Sequence, residues 1–433
     1  MSAPQAQTTD AGRIPGPHLR VAIGAGLTAI ALSITITALS FFTNAVLAEH
    51  PDWAISTFTL YYTIYGLASA FAMPVAAQLL PKLGSRKLLM LGGTIAAIGL
   101  FLFSLATALW IFYGAALIVG IGVGLSVQYV PIVLVNRWFV ARRALILGLV
   151  LAGTGVGGAA FSSILPGLIA STSWQLGMVV VAIAMFVFSV GPAILLIRNV
   201  PEDVGERAYG AGERPTDPKE SLAAERIPGL TRAEAMKTPW LYILFGSVLL
   251  MGIVHSMNQH LVNYLKLQPW GINVPDASIS LILTVTTLSL VLYKPALGWL
   301  IDRIGIERAL VITLSLAAIV VFISAYMTLL WAYIACMLVI AIGFANGTVT
   351  PPLVAAHAFG QRDFPAIWGV LGSAYPIGTA VGAPLWGLVR DATGSYGWGF
   401  VSVPIISAIF IIGMVVVMRR GRKLWSSEGL ATH

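Results

Sequence analysis

The sequence predicts an all-α membrane protein with twelve transmembrane helices in two related halves of six. Three observations predict this fold: the composition, the number of long apolar segments and an internal repeat. Of the 433 residues, 58% are hydrophobic and 10% are charged, and the mean hydropathy is +0.88. A soluble domain carries about 25% charged residues. These few charges cannot cover a water-facing surface, so lipid must surround most of the chain.

Twelve segments are long enough to cross a bilayer as helices, which takes about 20 apolar residues. We number them spans 1 to 12. Their predicted limits are 20–47, 54–80, 88–107, 109–135, 144–170, 175–198, 240–265, 277–301, 309–329, 331–356, 364–389 and 396–418.

One long polar connection divides the spans six from six. It covers 199–239, contains five prolines, and is predicted to be a flexible cytoplasmic linker with a short amphipathic helix near 219–226. The predicted units are a cytoplasmic tail at 1–19, a six-helix bundle at 20–198, this linker, a second bundle at 240–418 and a cytoplasmic tail at 419–433.

The basic residues are distributed unevenly between the two sides of the predicted bundle. Both tails and the even-numbered connections hold 22 of the 25 Lys and Arg residues, and the odd-numbered connections hold only Lys266 and Arg390. By the positive-inside rule both termini face the cytoplasm, and we expect a monomer in the cytoplasmic (inner) membrane. The net charge of +8 is then a topogenic signal, and no nucleic-acid partner is expected.

The two halves repeat each other at one offset, 221 residues, without a gap. The coinciding pairs are Pro74 and Pro295, Lys82 and Arg303, Gly84 and Gly305, Lys87 and Arg308, Gly122 and Gly343, Pro131 and Pro352, Gly148 and Gly369, and Gly157 and Gly378. Two halves related by such a repeat favour a binding site near the bilayer midplane, with one half rocking against the other.

Two loop sequences at equivalent places in the halves form a second pattern. The 8–9 connection, GWLIDRIGIER at 298–308, resembles the loop signature of the major facilitator superfamily. The matching residues are Gly298, Asp302, Arg303, Gly305 and Arg308. We expect the glycine of this motif to allow close helix approach and the aspartate to cap or pair across the seam. The first-half copy keeps Lys82 and Gly84 but has Ala77 and Pro81 in place of the glycine and the aspartate.

The start of span 5 carries a more specific motif. RWFVARRALILGLVLAGTGVG at 137–157, which includes Arg142 and Arg143, resembles the fifth-helix signature of the monocarboxylate transporter and oxalate/formate antiporter families. FGQRDFPAIWG at 359–369 is similar to the start of the eleventh helix in that group. The resemblance covers nearly the whole chain. It implies a secondary active transporter, a symporter or antiporter, for a small organic anion, and a monocarboxylate is the leading candidate.

Lys294 is the most informative polar residue of the spans. It lies in span 8 and is followed by Pro295. An ionisable group inside a span is costly and marks a functional site by default. In the resembling families an arginine at this position holds the substrate carboxylate, so the resemblance implies that Lys294 is the counter-ion. The alternative is a lysine whose ammonium extends to the membrane interface.

The neighbours of Lys294 narrow the expected substrate. The resemblance implies that Tyr375 stands where the oxalate exchanger has a second cation, and Leu290 where animal proton-coupled carriers have an aspartate. One cation favours a monoanion over a dianion. All 17 carboxylates lie in connections, in tails or at span ends. A co-transported proton would therefore use Lys294 or a histidine.

Other polar residues within the spans complete the predicted sites. Each can also form an interhelical hydrogen bond without touching a ligand, and the cluster in span 7 is the best candidate because its density is costly unless it faces a cavity. The predicted binding set is Lys294, Tyr375, His255, Asn258, Gln259, His260, Tyr65, Gln128, Asn346 and Thr348. The predicted gate set is Gly298, Asp302, Arg303, Gly305, Arg308, Lys82, Gly84, Arg142 and Arg143.

Several other functions are excluded or weakened. The single Cys336 and the scattered histidines give no metal-ligand pattern, so neither a metal nor another cofactor is expected. The GTGVGG at 153–158 follows no strand and indicates helix packing. The spans carry no acid–base pair of the kind that an enzyme's active site would need, so a membrane enzyme is not expected. The open alternatives are a carrier or exporter of a neutral or aromatic metabolite and a non-transporting membrane sensor on the same fold.

Overall fold

A computed structural model of the chain describes residues 14–211, 228–257, 276–324, 326–327, 329–394 and 397–426. Within these ranges the chain is helical, and its extended contacts are isolated bridges. Ten of the described helices are long and apolar enough to cross a membrane. One of the ten contains spans 2 and 3, and the interrupted span 11 completes the twelve predicted spans.

The helix limits follow the predicted spans closely. In the first half they are Gly16–Glu49 for span 1, Leu60–Ser104 for spans 2 and 3 together, Leu109–Leu125 with Val130–Trp138 for span 4, Arg143–Ser171 for span 5 and Trp174–Leu195 for span 6. In the second half they are Pro239–Ser256, Asp276–Ile304, Ile306–Ser324, Leu330–Phe359, Phe364–Leu371 with Ala374–Thr393, and Gly397–Ser426 for spans 7 to 12.

Three local features differ from the predicted spans. Spans 2 and 3 follow each other directly and meet at a sharp turn at Gly84, whose φ of 75° suits glycine. Span 4 is interrupted at 126–129 and span 11 at 372–373. Each break includes the residue four positions before a proline, Pro131 or Pro376, because a proline removes that hydrogen bond and its ring clashes with that carbonyl. Span 12 continues beyond 418 as far as Ser426.

The internal repeat is visible in the packing between the halves. A Cβ atom added to Gly148 in span 5 would lie 2.2 Å from the carbonyl oxygen of Lys294 and 3.0 Å from Cα of Pro295. A Cβ on Gly369 in span 11 would lie 3.1 Å from the carbonyl oxygen of Met73 and 3.5 Å from Cα of Pro74. Both sets of positions differ by 221 residues. The halves therefore meet through two seams, spans 5 and 8 and spans 11 and 2, which are equivalent by the repeat.

Both described ends of the predicted linker are hydrogen-bonded to the bundles. Tyr209 bridges Phe139 in the 4–5 connection, and Gly229 bridges Gly360 in the 10–11 connection. Phe139 and Gly360 are again 221 residues apart. The linker is thus anchored to the same position of each half, whereas its predicted helix near 219–226 lies outside the described residues.

The outer surface of the helices is apolar. Large hydrophobic side chains are among the most exposed, including Trp331 at 75%, Leu195 at 74% and Leu292 at 72%. Water would not favour such a surface, but the hydrocarbon of a bilayer would, and helices satisfy their own backbone polar groups there. The chain is a multi-pass membrane protein, and its core lies within and between the two bundles.

Candidate functional site

Lys294 is buried at the seam between spans 5 and 8, with 3% of its surface exposed. Its Nζ donates hydrogen bonds to Oγ1 of Thr154 at 2.6 Å and to the carbonyl oxygen of Leu151 at 3.2 Å. The Thr154 hydroxyl in turn donates to the same carbonyl at 2.8 Å. The ammonium therefore lies inside the bundle, and its hydrogen bonds connect the second half to the first. The alternative interpretation, in which the lysine extends to the membrane interface, does not match this position.

Close helix packing brings the lysine to span 5. A Cβ on Gly155 would lie 2.8 Å from Cγ2 of Val291 in span 8, and a Cβ on Gly153 would lie 2.3 Å from the carbonyl oxygen of Gly26 in span 1. The glycines around Thr154 therefore pack against two other spans, as the sequence predicted for GTGVGG. Only small residues there let the short threonine side chain reach a lysine on the facing helix.

A second polar pair, His255 in span 7 and Tyr375 in span 11, lies within the second half. Nδ1 of His255 and the hydroxyl of Tyr375 share a hydrogen bond of 2.8 Å. The histidine is 8% exposed, and its Nε2 has no hydrogen-bond partner among the described residues. It borders a mostly apolar cavity of about 70 Å³ that is also lined by Met251, Met337 and Phe344. His255 is the described member of the predicted span 7 cluster.

The predicted binding residues of other spans are occupied by local hydrogen bonds. Asn346 is fully buried, and its amide nitrogen donates to Thr313 Oγ1 at 2.9 Å. Thr348 donates to the carbonyl of Ala345 within its own helix. Oε1 of Gln128 accepts from Ser69 at 2.6 Å. These bonds favour a packing role over ligand contact.

For the remaining predicted binding residues, the structure gives few or no side-chain contacts. Tyr65 is half-buried in span 2, and its carbonyl approaches Gly120 of span 4, where a Cβ would lie 2.4 Å away. Asn258, Gln259 and His260 lie outside the described residues.

The gate set centres on Asp302, which caps a helix of the opposite half. Its two carboxylate oxygens accept the backbone N–H groups of Ala144 at 3.3 Å and Leu145 at 2.9 Å. These are the free N–H groups in the first turn of span 5, which carry the positive end of the helix dipole. The residue preceding this helix, Arg142, has a left-handed φ of 52° and supplies no side-chain cap. The aspartate therefore does across the seam what a local cap would do.

The other gate residues near this seam make contacts of different kinds. A Cβ on Gly298 would lie 2.2 Å from the carbonyl oxygen of Ala144, and Gly305 turns the chain with a φ of 87°. The Arg303 guanidinium lies 5.2 Å from the ring centre of Trp299, and Arg143 Nε donates to the carbonyl of Phe139 at 2.7 Å. Arg308 is exposed. Among the described contacts of the signature, those of Gly298 and Asp302 reach span 5 directly, whereas Gly305 makes the turn that follows span 8.

The first-half copy of the loop makes a different contact. Lys82 is exposed, and Gly84 turns beside Asn199, whose Oδ1 accepts the N–H of Arg86 at 3.0 Å. Pro81 stands where the repeat would place an aspartate. The repeat places Pro365 opposite Ala144, and a proline has no N–H to donate. The seam of spans 2 and 11 thus lacks both the carboxylate that would accept and one N–H group that would donate. Span 11 can begin without this cap, because a proline at the start of a helix has no free N–H to satisfy.

Sequence reasoning missed Thr154, Leu151 and Asn199. A backbone carbonyl such as that of Leu151 carries no side-chain signal. Thr154 could have been found, because the 221-residue offset places it opposite Tyr375, which was among the predicted binding residues. The two residues occupy equivalent places in spans 5 and 11, and each is bonded to a basic side chain of its seam or half.

Two six-helix halves, a lysine buried between them and a capping aspartate at one end of the seam define a membrane carrier of the two-bundle class. The chain belongs to the major facilitator superfamily, whose family model matches residues 21–358 and 271–431. The predicted fold and the predicted superfamily are thus confirmed, and this is a family of transporters rather than enzymes.

Curated relatives and solved structures agree with this assignment. The chain is 28% identical over 388 residues to monocarboxylate transporter 13 of Bos taurus, covering 87% of this chain and 83% of that protein. It is 26% identical over 404 residues to monocarboxylate transporter 11 of Mus musculus, covering 87% and 82%. The E. coli fucose:proton symporter FucP shares the fold, with a TM-score of 0.67, 14% identity and coverage of 93% and 98%. So does the human organic anion transporter MFSD10, with a TM-score of 0.67, 14% identity and coverage of 93% and 100%.

Proposed function

We propose that the chain is a secondary carrier of a small monocarboxylate and that Lys294 is the counter-ion for its carboxylate. The observation that carries this proposal is the position of Lys294, a buried cation at the seam whose described partners are one hydroxyl and one carbonyl. Neither partner carries a charge, so the positive charge of Lys294 is free to form an ion pair with the carboxylate of a bound substrate. The relatives named monocarboxylate transporters support the substrate class.

The protein would act as a monomer in the cytoplasmic membrane with both termini inside. The basic residues of the even-numbered connections support this orientation, and it places the Asp302 cap at the cytoplasmic end of the seam. A single cation favours monoanions over dianions. Proton coupling would have to involve Lys294 or a histidine such as His255, because the sequence places no carboxylate within a span interior.

A neutral or aromatic metabolite is the second candidate substrate. One observation favours it: the hydrogen bonds of Lys294 go to uncharged acceptors, and a lysine that donates to a hydroxyl can donate to a substrate hydroxyl as well. The apolar cavity beside His255 and Phe344 would suit a ring or alkyl group. A substrate panel separates this candidate from the anion carrier.

The test is uptake into proteoliposomes of monocarboxylates, dicarboxylates and neutral metabolites, with and without a pH gradient. We expect uptake of monocarboxylates, loss of that uptake in Lys294→Gln, and retention in Lys294→Arg, which keeps the charge. Lys237→Gln is the matched control, because that lysine is exposed and lies in the linker. Unchanged monocarboxylate uptake in a folded Lys294→Gln protein would overturn the counter-ion role, and uptake of neutral compounds alone would favour the second candidate.

A further inference from the structure

The contacts of Lys294 show how the chain satisfies this lysine with its own groups. An ammonium has three N–H donors, and two of them are accepted by Thr154 Oγ1 and the Leu151 carbonyl. Both acceptors belong to the opposite half. The lysine is 3% exposed in this arrangement, so neither side of the membrane supplies it with much water.

A carrier that exchanges its open face must pass through a state in which the central site is closed to both sides. Burying an unsatisfied cation is very costly. A bound carboxylate would remove this cost for the loaded protein. The unloaded protein needs another partner for Lys294, and without one it would be confined to exchanging one anion for another. The hydroxyl and carbonyl of span 5 are such partners, already within hydrogen-bonding distance.

We propose that Thr154, together with the Leu151 carbonyl, takes the place of the substrate carboxylate on Lys294 and so permits the unloaded carrier to return. The Thr154 hydroxyl accepts from the lysine and donates to Leu151, so this one side chain is bonded to both other members of the cluster. Net transport then depends on Thr154, whereas exchange does not, because both transits of an exchange cycle carry an anion. This inference rests on the proposed function.

The decisive experiment compares two fluxes of a radiolabelled monocarboxylate in proteoliposomes. Efflux into anion-free buffer requires return of the unloaded carrier, and exchange at equal concentrations on both sides does not. In Thr154→Val we expect the efflux rate to fall about tenfold, the change expected from one lost hydrogen bond to a charged group, while exchange stays within about twofold. Thr154→Ser keeps the hydroxyl and should restore efflux.

Thr28→Val is the matched control for the loss of a buried threonine hydroxyl. Thr28 is fully buried, and within the described part of the chain its hydroxyl donates to the carbonyl of Ala25 in its own helix, at 2.8 Å. Both fluxes should be unchanged in this variant. If Thr154→Val lowers efflux and exchange equally, or lowers neither, the inference is overturned. A merely structural role of Thr154 predicts an equal loss of both fluxes.

A measurement without substrate separates this inference from the proposed function. In detergent, the melting temperatures of Thr154→Val, Lys294→Gln and the double variant should be non-additive by about 2 °C, because the two side chains share a bond. Additive shifts overturn the inference whatever is transported. If no monocarboxylate is moved but the shifts are non-additive, the proposed function fails while the contact between the halves stands.

Discussion

The carboxylate of Asp302 in span 8 accepts the backbone N–H of Leu145 in span 5 at 2.9 Å. An aspartate of the second half thus caps a helix of the first, and the contact exists only while the two halves are together at this end. The equivalent seam has Pro81 and Pro365 at the corresponding positions. At this end one seam is therefore closed by hydrogen bonds to a carboxylate, whereas at the other seam the Tyr129 hydroxyl of the first half donates to the carbonyl oxygen of Pro365 at 2.8 Å.

The first prediction concerns this cap. Asp302→Ala should destabilise the protein by about 1 kcal/mol, the typical cost of a lost helix cap, and Asp302→Asn should cost less because one oxygen can still accept. Asp391→Ala is the control, since that carboxylate is exposed and its described ion pair is with its neighbour Arg390 at 3.7 Å, a pair of little energetic value. Melting temperatures in detergent measure the effect. If Asp302→Ala has the same melting temperature as the wild type, the cap does not stabilise the seam.

The second prediction concerns the close approach at Gly298. A Cβ there would lie 2.2 Å from the carbonyl oxygen of Ala144, so Gly298→Ala must push spans 5 and 8 apart at a cost of about 1–3 kcal/mol. Gly167→Ala in span 5 is the control. No atom lies within 4 Å of a Cβ at that position, and alanine is the better helix former by about 1 kcal/mol. The two substitutions should move the melting temperature in opposite directions, and shifts of the same sign would contradict the packing described for this seam.

The third prediction concerns the hydrogen bond between His255 and Tyr375. Tyr375→Phe keeps the ring but leaves Nδ1 of a buried histidine without its partner, which should cost about 1–3 kcal/mol. His255→Phe should remove most of the additional effect of Tyr375→Phe, so the double variant is less destabilised than the sum of the two. Tyr242→Phe, at a side chain that is 59% exposed, controls for the loss of a tyrosine hydroxyl. Additivity of the two substitutions would show that the pair does not interact.

The fold could be predicted from the sequence because the bilayer imposes simple rules. The lengths of the apolar segments predicted the spans, and the Gly, Pro and basic pairs at one offset predicted the repeat. The repeat is seen in the structure in the equivalent contacts of Gly148 and Gly369. The interruptions of spans 4 and 11 were not predicted, although Pro131 and Pro376 account for them. One proline hardly changes the hydropathy of a segment, whereas it removes a backbone hydrogen bond of the helix.

The candidate site was predictable only in part. Lys294 was identifiable from its charge, since any ionisable residue in a span is unusual. Its partner Thr154 could be found only through the repeat, which places it opposite Tyr375, because threonine itself is common in spans and hydrogen-bonds to its own helix. Asn346 follows the same physical rule: a polar side chain in a span must find a partner, and here the partner is Thr313 of the adjacent helix. Charge is visible in a sequence, whereas pairing depends on how helices face each other.

The fourth prediction concerns the anchored start of the linker, where His18 is 1% exposed. Its Nε2 donates to the carbonyl of Arg207 at 2.7 Å, and its ring packs edge-on against Trp138, Phe139 and Tyr209. His18→Ala loses both the ring contacts and the hydrogen bond and should release this segment. His18→Phe keeps the ring contacts and should release it less.

Limited proteolysis of the linker measures the release, because cleavage reports the population of the open segment. We expect cleavage near 205–211 to be fastest in His18→Ala, intermediate in His18→Phe and slowest in the wild type. Loss of one buried hydrogen bond, about 1 kcal/mol, should raise the cleavage rate roughly fivefold in His18→Phe. Equal rates in all three proteins would mean that the backbone bridge between Tyr209 and Phe139 holds the linker without help from the histidine.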